Sequence, residues 1–317
     1  MRNNNIGGRR MSKYAYEYRP YEERSADEQY KDMIRTIMEK GIRTPSRMVD
    51  KDGNEIDTIS YTGIINRFNI LENGAPIIPE RNISSFYGNA IGELAGFANG
   101  VRTQEELRKY GCNWWKFWVT PEKCAKRGLE TGDLGPGSYG AAFATFPTAD
   151  GGYFDQFDEI EKQMIEHPEL KTHFISPWIP QYTIRNSGHQ QKVVVAPCHG
   201  WIHFRILGDK LNMTMIQRSC DVLIGCPSNW AQYSALLLAA ADVLGLQPNE
   251  FVHMISDAHI YANQLDWVDE ILSRESRPFP TLKLTRKLEH IKDFRKEDFE
   301  LEDYHPHDAI KGIPVGI

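Results

Sequence analysis

Residues 231–244 are mostly apolar and hold an unbroken alanine-leucine run, Ala235-Leu236-Leu237-Leu238-Ala239-Ala240-Ala241. A helix of this composition has no wide polar face to offer water and needs burial on most of its sides. It is also shorter than the roughly 20 apolar residues of a membrane span. The run therefore calls for a globular core built around it.

The remaining pattern supplies that core. Glu28–Lys40 has helical apolar spacing through Tyr30, Met33, Ile34 and Ile37, with Gly41 as its stop. Thr58–Leu71 is rich in β-branched and aromatic residues and predicts a strand. Asn89–Asn99 predicts a buried helix that sets Glu93 among apolar neighbours, and Tyr153–Ile165 an amphipathic one. His173–Trp178 and Lys192–Val195 predict strands. Trp201–Leu207 and Leu211–Gln217 form a hairpin around Gly208-Asp209, and Phe279–Leu284 and Phe299–Leu301 are late strands. Long strands with a few helices argue an α+β fold, a single domain built on a large, mainly antiparallel twisted sheet with flanking helices. Residues 1–27 are polar and tyrosine-rich and predict an amino-terminal arm, leaving 28–317 as the domain.

Composition narrows the function. The 317 residues are 41% hydrophobic and 25% charged, as in an ordinary soluble protein. A formal net charge of -6 gives no basic field for duplex DNA, so an anionic ligand must be met by local cations. Five cysteines without paired spacing argue for a reducing compartment. The first residues, Met1-Arg2-Asn3-Asn4-Asn5, lack the apolar stretch of a signal peptide, and the expected location is cytoplasmic. No membrane, no metal and no obligate nucleic acid are expected.

An arbitrary cysteine is a small buried hydrophobe. Cys198 becomes a nucleophile only with a cation or dipole to hold its thiolate, and Arg218 is the candidate. Arg218 and Ser219 together suit a phosphate. Asn229 offers a donor and an acceptor side by side. His259 and Tyr261 share one face if their segment is a strand. Taken singly, each of these residues has an ordinary structural reading: an exposed arginine, a turn asparagine, packed rings.

Their order is more specific. Ala196-Pro197-Cys198-His199, Gln217-Arg218-Ser219-Cys220-Asp221, Pro227-Ser228-Asn229 and Asp257-Ala258-His259-Ile260-Tyr261 resemble the thymidylate synthase family and its pyrimidine nucleotide hydroxymethylase relatives. The likeness runs from about Arg43 to Ile317 and is densest over Ser176–Leu284. It implies that the Cys198 thiolate adds to C6 of a uracil ring in dUMP, with Asn229 pairing O4 and N3–H. It implies His259 and Tyr261 on the 3′-hydroxyl, and Arg43, Lys171, Gln217 and Ser219 among the other nucleotide contacts. Glu93 would move protons at O4 through water, and Tyr139 would serve loss of the C5 proton. His199 and Asn263 would lie behind the reacting groups. Trp115, Trp118, Asp221, Gly225 and the terminal Ile317 would meet 5,10-methylenetetrahydrofolate, the co-substrate, under a closing tail that includes Tyr304-His305-Pro306-His307. A homodimer through the sheet follows, with Lys171 reaching the partner's site.

Departures from the family pattern bear on the product. Pro45 interrupts the amino-terminal phosphate loop, and Val49-Asp50-Lys51-Asp52-Gly53 is similar to phage deoxycytidylate hydroxymethylases. Lys171-Thr172 stands where the family has two arginines, and Ser228 stands for a phenylalanine. Gly92 and Gly96 lighten a usually bulkier region. Water in place of hydride at the last step would give a hydroxymethyl product. A non-catalytic RNA-binding relative is a third reading, which intact Cys198, Asn229, Glu93 and Tyr139 oppose.

Overall fold

A computed structural model describes residues 16–50 and 53–315. The first strands are β1 (Ile42–Val49), β2 (Glu55–Asn69), β3 (Phe146–Pro147), β4 (Tyr153–Phe154) and β5 (Phe174–Ile175). They are followed by β6 (Trp201–Leu207), β7 (Lys210–Gln217), β8 (Cys220–Asp221), β9 (Gln247–Tyr261), β10 (Thr281–Leu284) and β11 (Phe299–Glu302). The helices are α1 (Gln29–Lys40), α2 (Ile70–Asn73), α3 (Tyr87–Ala98), α4 (Gln104–Lys109) and α5 (Pro121–Ala125). The later ones are α6 (Tyr139–Ala144), α7 (Gln156–Glu166), α8 (Pro180–Thr183), α9 (Gly225–Leu244) and α10 (Val268–Ser273).

Seven strands form one sheet in the order β1-β2-β9-β7-β6-β5, with β8 alongside β9. Helix α9 lies across it, and from Ala231 to Ala241 every residue is buried. Gly245 ends the helix in the left-handed region at φ 66°, which a side chain would resist. Helix α1 buries Tyr30, Met33, Ile34 and Ile37, the predicted apolar positions.

The sheet is mixed rather than mainly antiparallel. β9 pairs antiparallel with β2 but parallel with both β7 and β8. The cause is α9 itself: a buried helix between β8 and β9 carries the chain back to the end where β7 began, so the next strand runs the same way. The predicted strand at 192–195 is irregular instead. Its backbone bonds run to loops, from Lys192 N to Tyr182 O at 2.9 Å and from Val194 N to Leu134 O at 3.0 Å. The amphipathic helix begins only at Gln156, because Tyr153-Phe154 is taken up by a two-residue ribbon with β3. The late strands pair with each other, outside the main sheet.

Of the predicted arm, residues 1–15 lie outside the described residues. Tyr18 donates its hydroxyl to Leu282 O at 2.7 Å. Buried Arg24 donates to Phe279 O at 2.9 Å and to Thr281 Oγ1 at 2.7 Å. Among the described residues, no helix is long and apolar enough to cross a membrane.

Candidate active site

Cys198 sits on the loop entering β6, partly exposed. The main chain ties that loop to the end of β7, with Arg218 N donating to Cys198 O at 2.8 Å. This places the Arg218 side chain over the loop. Its Nε donates to Pro197 O at 2.7 Å, and Nη2 reaches Ala196 O at 2.7 Å and Cys198 Sγ at 3.3 Å. Trp178 lies beneath the guanidinium, 5.7 Å from ring centre to Cζ. Burial pushes the Cys198 thiol above its ordinary value; Arg218 and then Tyr139 pull it back.

Tyr139 accepts the Cys198 N–H at 2.6 Å and stacks on His199 with ring centres 4.6 Å apart. His199 Nδ1 pairs with the Tyr233 hydroxyl at 2.7 Å. Burial, then the charge of Arg218, lowers His199 to about 3, so the ring is neutral.

A line of buried amides crosses the floor of the site. Gln217 Nε2 donates to Asn229 Oδ1 at 3.1 Å, Asn229 Nδ2 to Gln232 Oε1 at 2.9 Å, and Gln232 Nε2 to Glu93 Oε2 at 2.6 Å. The other Glu93 oxygen accepts from Trp114 Nε1 at 2.5 Å and Trp115 Nε1 at 2.6 Å, with Cys112 Sγ at 3.6 Å. Burial raises the Glu93 carboxyl, while these donors oppose the shift. Helix α3 reaches this position because Gly92 lets it approach the next segment: a Cβ there would stand 1.9 Å from Tyr110 O. Asn229 has given one N–H and one lone pair, and one of each remains.

His259 and Tyr261 do share a face of β9, with ring centres 5.1 Å apart. His259 Nδ1 lies 3.3 Å from Asp257 Oδ2. Parallel pairing sets Asp221 of β8 beside His259. Asp221 Oδ1 accepts from Leu223 N and Ile224 N, both at 3.1 Å, and Oδ2 accepts from Gln264 Nε2 at 3.0 Å. The same Gln264 nitrogen donates to Pro314 O of the tail at 2.9 Å. Tyr304 fastens the tail further back, donating to Ile78 O at 2.9 Å. Gly225 lies between Asp221 and Asn229; a Cβ there would stand in ordinary contact, 3.8 Å from Asp221 Cβ and 3.9 Å from Asn229 Oδ1. Trp118 stands 5.8 Å from Trp115, tilted by 57°.

Not every predicted residue joins this cluster. Arg43 pairs with Asp57 at 2.8 Å on the exposed β1–β2 hairpin. Lys171 is exposed just before β5, where its carbonyl meets His203 Nε2 at 3.1 Å. Ser219 joins through its main chain, its carbonyl accepting from Gln217 Nε2 at 2.9 Å. Ile317 lies outside the described residues. The structure adds Gln232, His253, Trp230, Trp178, Tyr233 and Gln264, which the motif reading missed. Gln232 left a signal, an amide in α9 three residues before its alanine-leucine run. Among the described residues, no group of three or more His, Cys, Asp or Glu could hold a metal ion.

A thiol beside an arginine, an amide joined to a buried carboxylate and a His–Tyr pair on one strand now occupy one region. The thymidylate synthase family model matches residues 28–315. The chain therefore belongs to the thymidylate synthase family, enzymes of folate-dependent one-carbon transfer to C5 of a pyrimidine nucleotide.

Proposed function

We propose that this protein is a thymidylate synthase, converting dUMP and 5,10-methylenetetrahydrofolate to dTMP and dihydrofolate. The observation that carries the reading is the contact between Cys198 Sγ and Arg218 Nη2 at 3.3 Å, beside the Asn229–Gln232–Glu93 line. Arg218 favours the thiolate. Cys198 Sγ then bonds to C6 of uracil, and the electron pair of the C5–C6 double bond moves toward C5 and O4. Asn229 meets the ring with its remaining N–H and lone pair, the complement of O4 and N3–H. Glu93 holds and returns a proton at O4 through water. The Tyr139 hydroxyl, which accepts the Cys198 N–H, serves loss of the C5 proton in this reading, and that contact supports it. The 3′-hydroxyl falls to His259 and Tyr261, and the phosphate to Arg218 and Ser219.

The residues around Asp221 suit a folate. A half-buried carboxylate matches a pterin's N–H groups, Gly225 lies beside it, and Trp115 and Trp118 offer flat apolar surface. When bound, the folate supplies the one-carbon unit and then hydride. A dry site favours hydride over water. The space freed by Gly92 is filled by Tyr110 O, and the tail is latched at Gln264. Both features weigh toward methylation over the alternative hydroxymethylase activity. A homodimer through the sheet, with Lys171 offered to the partner's phosphate, completes the reading; Phe174 and Leu207, on the edge strand β5 and the neighbouring β6, are exposed apolar residues.

Mass spectrometry of the product from dUMP and 5,10-methylenetetrahydrofolate tests this. A methyl product with dihydrofolate is expected. A hydroxymethyl product with tetrahydrofolate would replace the reading with the hydroxymethylase and direct attention to Ser228.

A further inference from the structure

Asn229 is held in one orientation from both ends of its hydrogen-bond line. At one end the Trp230 indole N–H, which only donates, gives 2.9 Å to His253 Nδ1. Burial keeps His253 neutral, so its proton sits on Nε2 and faces Gln217 Oε1 at 2.9 Å. Gln217 must then turn its nitrogen to Asn229 Oδ1 and the Ser219 carbonyl, which uses both hydrogens. At the other end Glu93 Oε2 and the Ala90 carbonyl accept from Gln232 Nε2, at 2.6 and 3.1 Å. Gln232 therefore has only its carbonyl left for Asn229 Nδ2. Trp230, His253 and Gln232 are fully buried, so no water substitutes for a lost partner at low cost.

Turning the Asn229 amide over would set two carbonyl oxygens face to face at Gln232 and two N–H groups face to face at Gln217. The orientation matters for a ring. Uracil presents an acceptor at position 4 and a donor at N3; cytosine presents the reverse. We propose that Trp230 and Gln232 are the specificity-determining positioning residues of this site. They lock the Asn229 amide from opposite sides and thereby select uracil over cytosine without touching the ring. This rests on the pyrimidine nucleotide reading above.

The test uses the full-length protein with Trp230→Phe, Gln232→Met and the two combined. Calorimetric titration gives the ratio of dUMP to dCMP affinity. Unlocking the amide is expected to narrow that ratio by about tenfold in the combined variant, most of it from tighter dCMP binding. An unchanged ratio, or an equal loss for both nucleotides, overturns the proposal, since a merely structural role weakens both alike. If Trp230→Phe does not fold, Gln232→Met alone decides the ratio. Nitrogen-15 spectra of His253 read the lock without any nucleotide. The wild type is expected to show the Nε2–H tautomer alone, and Trp230→Phe a mixture. A tautomer unmoved by Trp230→Phe removes Trp230 from the mechanism. Wild-type protein that binds neither nucleotide overturns the pyrimidine reading and the specificity claim with it, while the His253 spectra still report on the lock.

Discussion

Arg218 does two jobs at Cys198: it fastens the loop through two carbonyls and faces the sulfur. Only the second concerns reactivity, and the two can be separated. Arg218→Gln removes the charge that opposes burial, so alkylation of Cys198 by iodoacetamide at pH 8 should slow about tenfold. An unchanged rate would show that the guanidinium does not set the thiolate population. In the wild type the thiol lies above its ordinary 9.0, so the alkylation rate of the free protein should still be rising at pH 9. Cys198, Arg218 and Asn229 were legible as candidates because each carries a rare side-chain chemistry inside an ordered motif. Gln232, His253 and Gln264 were not, because their roles lie in partners distant in the chain. Gln232 meets Glu93 across 139 positions, which no local pattern announces.

At the scale of elements, α9 was the plainest reading and the sheet direction the least plain. Composition shows that a helix is buried but not which way the following strand runs. That depended on the helix returning the chain to the far end of β7. The tail shows the same limit. Its family likeness was visible, yet the latch, one amide nitrogen shared by Asp221 and Pro314, belongs to the short segment after β9. Gln264→Leu breaks both bonds, one of them to a carboxylate. Hydrogen exchange at residues 310–315 should accelerate, and turnover should fall roughly tenfold with dUMP affinity nearly unchanged. If exchange there stays slow, Tyr304 and the earlier anchors hold the tail alone.

For the whole molecule, the junction of tail and body contains Glu80, 1% exposed, on a loop whose neighbour Pro79 accepts from His307 N at 2.8 Å. Burial raises its carboxyl from 4.5 to about 7. The folded protein thus keeps a proton that the unfolded chain gives up. The stability linked to Glu80 is fully present below about pH 4.5 and is lost as pH rises through about 7. Glu80→Gln mimics the protonated form. Relative to wild type, that variant should gain roughly 2–3 kcal/mol of unfolding free energy between pH 5 and pH 8. Parallel denaturation curves with no pH-dependent gap would place the titration elsewhere. The crossover through α9 has one more consequence. Gln217, Arg218, Asp221, Asn229, Gln232, His253, His259, Tyr261 and Gln264 all fall within the single stretch from the end of β7 to the turn after β9. Cys198, Tyr139 and Glu93 lie outside it. A single recombination event could therefore carry the proposed recognition apparatus from one chain to another as a block, leaving the host's nucleophile in place.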